Sequence, residues 1–115
     1  MAKITSQAKR LRIYIGEDDQ WQGRPLYHAI VMKAKELDMA GVTVLRGVMG
    51  YGAHSRIHSA HLLDLSSDLP LLVEIVDGEE YIDKLMPYLD EMLKQGMVTI
   101  EDIEVIKYGQ KPPTR

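Results

Sequence analysis

The chain contains no cysteine. Disulfides and thiolate chemistry are excluded, and this usage suits a reducing compartment. Charge of one sign is also missing: 14 basic and 17 acidic residues leave a formal net charge of -3. A general affinity for nucleic acid needs a dominant basic field, so no nucleic-acid partner is expected. No apolar run approaches the ~20 residues of a membrane helix, so direct membrane insertion is not expected either. The first residues, MAKITSQAKR, carry positive charge with no apolar stretch behind them and do not read as a signal peptide. A cytoplasmic protein is the expectation. What is present is 115 residues of ordinary globular composition, the length of a single domain. A chain of this size buries roughly two thirds of its unfolded surface, enough for one core.

Three segments are expected: a flexible N-terminal stretch over 1–10, one domain over 11–108 and a tail over 109–115. In LRIYIG, Leu11, Ile13 and Ile15 alternate with Arg12 and Tyr14, the period of a strand. EDDQWQGR reads as a loop. Pro25 opens a helix in which Leu26, Ile30, Ala34 and Leu37 recur at helical spacing, and Gly41 ends it. VTVLRGVM is a second strand, and LLVEIVD, almost wholly apolar, is a third and central one. Asp77, with Glu80 three residues on, reads as the cap of a second helix. Ile82, Leu85, Met86, Leu89, Met92 and Leu93 form its apolar stripe, and Lys94 and Gly96 close it. IEVIKY is the last strand. The order strand, helix, strand, strand, helix, strand defines an α+β fold, a ferredoxin-like βαββαβ sandwich with an antiparallel sheet and both helices on one face. The other face would carry Arg12, Tyr14, Leu72 and Val76. A face that apolar points to an oligomer.

One stretch fits no core. GVMGYGAHSRIHSAH, from Gly47 to His61, holds three glycines, two serines, an arginine and three of the four histidines. Gly47, Gly50 and Gly52 permit unusual backbone conformations or close approach. They match neither a dinucleotide fingerprint nor a P-loop. Arg46 stands within an apolar strand, where it needs a carboxylate, a subunit edge or a ligand. Arg56 lies on the loop beyond. His54, His58 and His61 would share a face only on a helix, which the glycines and the spacing of IHSAHLLDL argue against. Glu17, Asp18 and Asp19 read as a solvated acidic loop, and Trp21 as a packing anchor. No serine stands in a strand-to-helix elbow, and no nucleophile-and-base pair is visible, so the chain is not expected to be an enzyme.

GVTVLRGVMGYG resembles the second strand and loop base of the PII (GlnB-like) signalling proteins. The residues that carry the likeness are Gly41, Thr43 and Val44, then Gly50, Tyr51 and Gly52. LVEIVDGEE is similar to the third strand and helix start of the same family. The wider pattern, over about residues 10 to 108, resembles an uncharacterised family of small PII-like proteins. That resemblance implies a homotrimer of ferredoxin-like protomers that binds adenine nucleotides in inter-subunit clefts. A mobile loop, here about 51–60, would touch a target protein. The chain departs from PII after the second helix, where KQGMVTIEDIEVIKY carries no glycine- and lysine-bearing loop. The expected ligand is a small anion, an adenine nucleotide being the class that the resemblance implies. Its expected site is Thr43, Arg46, Gly50, Gly52, Arg56 and His58. Thr43 and the two glycines come from the resemblance, the others from charge and position. Two alternatives stand beside it. One is a metal-responsive trimer like the CutA relatives of PII, with His54, His58 and His61 as ligands. The other is an interaction module with no small ligand.

Overall fold

Leu11, Ile13 and Ile15 are buried, while Arg12 is half-buried and Tyr14 exposed, so the alternation of LRIYIG is that of a strand with one face on the core. The structure, a computed structural model, describes residues 7–51, 58–59 and 68–109. Strand β1 spans Gln7–Gly16 and starts before the alternation does. Residues 7–10 are polar apart from buried Ala8, yet they pair in register with Glu104 back to Glu101, and Lys9 and Arg10 form ion pairs with Asp102 and Glu101. Cross-strand charges hold a segment that composition alone marks as loose.

EDDQWQGR is a tight hairpin rather than an open loop. Strands β2 (Gln20–Trp21) and β3 (Arg24–Pro25) flank Gln22 and Gly23, both at positive φ, the geometry that a two-residue hairpin turn requires. Trp21 packs against the core. Helix α1 spans Leu26–Glu36 with Pro25 just outside it, and buries Leu26, Ala29, Ile30 and Ala34. The chain turns after it at Asp38, φ 59°, and Gly41 takes no left-handed conformation. Strand β4 is Val42–Arg46, followed by the short pair β5 (Met49–Gly50) and β6 (His58–Ser59).

Strand β7, Pro70–Asp77, buries every second residue. Helix α2, Glu79–Met92, buries Ile82, Leu85, Leu89 and Met92 and runs through Pro87. Asp77 does not cap it. The N-cap is Gly78, and Asp77 is fully buried at the end of β7. Its carboxylate accepts from the Ala40 N–H at 2.8 Å and the Gly78 N–H at 2.7 Å, so the D-x-x-E pattern here marks a clamp between two segments. Gly96, φ 103°, leads into β8, Met97–Glu104; a Cβ there would lie 2.5 Å from the Tyr14 carbonyl oxygen.

The main sheet has the order β4-β7-β1-β8, with each neighbouring pair antiparallel. Each helix thus links two parallel strands with one antiparallel strand between them, the ferredoxin-like arrangement. The core lies between the sheet and the helices. The opposite face is ordered in rows. Leu45, Leu72, Tyr14 and Met97 stand in register across all four strands, and Leu45, Tyr14 and Met97 are exposed. The next row is Thr43, Glu74, Arg12 and Thr99. Arg12 donates to Glu74 at 3.0 Å, and that hydrogen bond is the main reason its pKa is raised.

Candidate functional site at the base of the β5–β7 connection

Arg46 ends β4, and its guanidinium pairs with the Glu17 carboxylate, which follows the last residue of β1. Register brings these ends together, because Arg46 lies opposite Leu71 on β7 and Gly16 opposite Pro70. The Arg46 side chain is 62% exposed and that of Glu17 20%. The carboxylate is the partner that Arg46 finds within its own chain. A guanidinium has five N–H donors, and one carboxylate does not use them all.

Three aspartates surround this base. Asp68 accepts from the Asp18 N–H at 2.8 Å, and Asp19 accepts from the Gly16 N–H at 3.0 Å. The Glu17 N–H donates to the Leu69 carbonyl, 2.8 Å. A Cβ on Gly16 would lie 2.8 Å from the Asp68 carboxylate, so glycine is what lets that carboxylate approach. On the other side, Gly47 and Gly50 both lie on Pro70, where a Cβ would come within 2.8 and 3.1 Å of its Cγ. The Gly47 N–H is already bound to the Pro70 carbonyl at 2.7 Å and offers no free donor to an anion. The glycines at this base serve close packing on Pro70.

The expected site residues therefore divide. Arg46 and Gly50 meet at the base. Thr43 stands elsewhere: it is opposite Glu74 on the helix-free face, while Arg46, three residues on, is opposite buried Leu71. Gly52 and Arg56 lie outside the described residues, as do His54 and His61; of His58 only the backbone pairing with Gly50 is described. Most of the segment 51–60, expected to be mobile, lies outside them too. Among the described residues no group of three or more His, Cys, Asp or Glu is placed to hold a metal ion, and no helix is long and apolar enough to cross a membrane. Asp68 and Pro70 are members of the site that the sequence did not single out, and Glu17, expected to be solvated, is the partner of Arg46 instead. The signal for Asp68 and Pro70 is position, just before and at the start of β7.

This fold, with its long β5–β7 connection rooted at one sheet end, is that of the PII-like proteins. The chain belongs to the DUF190 family (Uncharacterized ACR), whose model matches residues 8–105. It is 41% identical over 100 residues to a UPF0166 protein of Aquifex aeolicus, covering 85% of this chain and 92% of that one. A UPF0166 protein of Methanocaldococcus jannaschii is 36% identical over 102 residues, covering 88% and 94%. Among solved structures, CPII from Thiomonas intermedia K12, bound to ADP and bicarbonate, superposes with a TM-score of 0.66 at 19% identity, covering 88% of this chain and 90% of that one. CutA1 from Oryza sativa is more distant, with a TM-score of 0.50 at 16% identity over 92% and 85%.

Proposed function

We propose that this protein is a PII-like regulator that binds a small anion, of the adenine-nucleotide class, at the base of the β5–β7 connection and acts on a partner protein without catalysing a reaction. The observation that carries the reading is Arg46: a largely exposed guanidinium at the root of that connection, steadied by Glu17. Planar, bidentate recognition of phosphate or carboxylate is what guanidinium does best. The ADP and bicarbonate held by CPII, a neighbour in fold, support the choice of ligand class. Binding would change which groups Arg46 pairs with, and so the backbone on which the connection is rooted.

The functional unit in this reading is a homotrimer. Its support is the row Leu45, Leu72, Tyr14 and Met97, an apolar line across the sheet face that no helix covers. Light scattering should give the mass of three protomers; the mass of one sinks the trimer.

Calorimetric titration with ADP, AMP and bicarbonate tests the ligand. At least one should bind the wild type, and Arg46→Met should weaken it by roughly ten- to a hundredfold, the usual worth of a charge-assisted contact. A wild type that binds none of the three overturns the reading. Undiminished binding by Arg46→Met moves the site away from Arg46.

A further inference from the structure

The main sheet has two edge strands, β4 and β8. Register decides which of their ends lie together. Glu104, the last residue of β8, is opposite Gln7. Asp77, the last of β7, is opposite Lys9, and Val42, the first of β4, is opposite Ile75. One end of the sheet therefore holds the finish of β8 and the start of β4, with β1 and β7 between them. The chain stays with the sheet where β8 stops. Four residues on, the Tyr108 hydroxyl donates to the Ala40 carbonyl at 2.9 Å, two residues before β4. Residues 105–108 thus run from one edge of the sheet to the other. Three inter-strand steps measure ~14 Å, and four residues reach at most ~14 Å, so the long tyrosine side chain completes the crossing. Val105 and Tyr108 are half-buried, whereas Ile106 and Lys107 are exposed.

Ala40 is where this crossing meets the buried carboxylate of Asp77. Its N–H donates to Asp77 at 2.8 Å, and the Gly78 N–H donates to the same carboxylate at 2.7 Å. Asp77 is the one polar or charged side chain that is buried among the described residues. At the opposite end of the same strand, Asp68 and Pro70 are only half-buried. We propose that residues 105–108 are a strap that ties the two edge strands together across this end of the sheet and keeps the Asp77 clamp dry. Strap and clamp then open as one unit. Release of Tyr108 takes the donor from the Ala40 carbonyl and frees the start of β4 to move off Asp77. Water then reaches the carboxylate and competes for both N–H groups. The core takes no part, since Leu11 and Ile13 stand in β1 with a paired strand on each side. An opening of this kind is local and lies below the free energy of global unfolding. The strap acts within one chain, with no ligand and no second copy.

Amide hydrogen exchange of the full chain, read residue by residue by NMR, tests the strap. Tyr108→Phe keeps the ring and removes the donor. Exchange at Ala40 and Gly78 should accelerate together by roughly five- to tenfold, the usual worth of one hydrogen bond. Leu11 and Ile13 should keep their wild-type rates. Tyr108→Ser keeps a hydroxyl that is too short to reach Ala40, and should accelerate the same two amides at least as much. Unchanged exchange at both amides in either variant overturns the strap. Acceleration at one of the two alone shows that strap and clamp open separately, and overturns it too. So does acceleration by one common factor at every amide, because residues 105–108 would then open only with the whole fold.

Discussion

The two ends of the central strand β7 use the same device under different conditions. At its C-terminal end the carboxylate of Asp77 accepts two backbone N–H groups and is fully buried. The residue it holds, Ala40, is bound again through its carbonyl by Tyr108. At the N-terminal end Asp68 and Asp19 also accept backbone N–H groups, and Glu17 takes Arg46, but these groups stand in partial contact with water. A buried carboxylate that loses its donors, or donors that lose it, bear the full cost of desolvation. A wet one exchanges partners for little net free energy. The dry end is thus a fixed clamp, and the wet end is where bonds rearrange at little cost. The difference supports the proposal that a ligand acts at the end where the β5–β7 connection begins and returns.

The sharpest way to break this contrast is at Asp77. Asp77→Ala leaves the N–H groups of Ala40 and Gly78 without their acceptor and should lower stability by about 3 kcal/mol. Urea unfolding measures it. Asp77→Asn keeps an acceptor oxygen and should lose less. If Asp77→Ala unfolds at the wild-type urea midpoint, the dry end is no clamp, and the two ends are energetically alike.

Gly47→Ala comes next. Its Cβ would stand 2.8 Å from Pro70 Cγ, so the close approach that roots the connection must open; overpacking of this kind costs about 1–2 kcal/mol. Gly41→Ala is the control, since a Cβ there meets nothing within 4 Å. Equal effects at the two positions would mean that Gly47 contributes only through backbone entropy.

At the wet end the effect on stability is smaller and the effect on binding larger. Glu17→Gln and Arg46→Met each break a pair whose guanidinium is largely exposed, and each should shift stability by about 1 kcal/mol or less. Their effects on anion titrations should separate in sign. Arg46→Met removes the attracting charge, whereas Glu17→Gln removes a competing carboxylate and should tighten binding. If both variants weaken binding alike, the pair acts only as a brace.

How much of this was legible follows from the range of each interaction. The period-two alternation in β1 and the helical stripe of Ile82, Leu85 and Leu89 are local, and both elements stand where the pattern puts them. Register then follows from burial, which is why Arg12, Tyr14, Leu72 and Val76 share the helix-free face. Asp77 reads as a cap in the sequence because a cap and a buried clamp share one local pattern, and only the distant Ala40 distinguishes them. Residues 7–10 read as loose because their partners are a whole domain away: 93 residues separate Lys9 from Asp102. Arg46 was legible as a charge that needs a partner, but that partner, Glu17, lies 29 residues away in an acidic run that composition assigns to solvent. Side-chain chemistry is readable one residue at a time, whereas pairing is a property of topology.

The smallest effect tests whether the ion pairs of β1 belong with the clamp or with the wet end. Lys9 pairs with Asp102 on the exposed edge strand β8, and its pKa is raised above the ordinary 10.5, first by the hydrogen bond to that carboxylate. A raised lysine binds its proton more tightly folded than unfolded. Its contribution is therefore complete below pH 10.5 and disappears as pH climbs through the raised value. The contribution of this pair should be level at neutral pH and fall only in the alkaline range. Lys9→Met keeps the stem and removes the titrating group. Thermal midpoints of wild type and variant, compared at pH 7 and above pH 10.5, isolate the pair from the tyrosines and other lysines that titrate in both proteins. The gap between them should be small at pH 7 and should narrow as the medium becomes alkaline. A gap that stays constant across that range would show that Lys9 stabilises the strand through its packed stem, and that its charge does nothing for the edge.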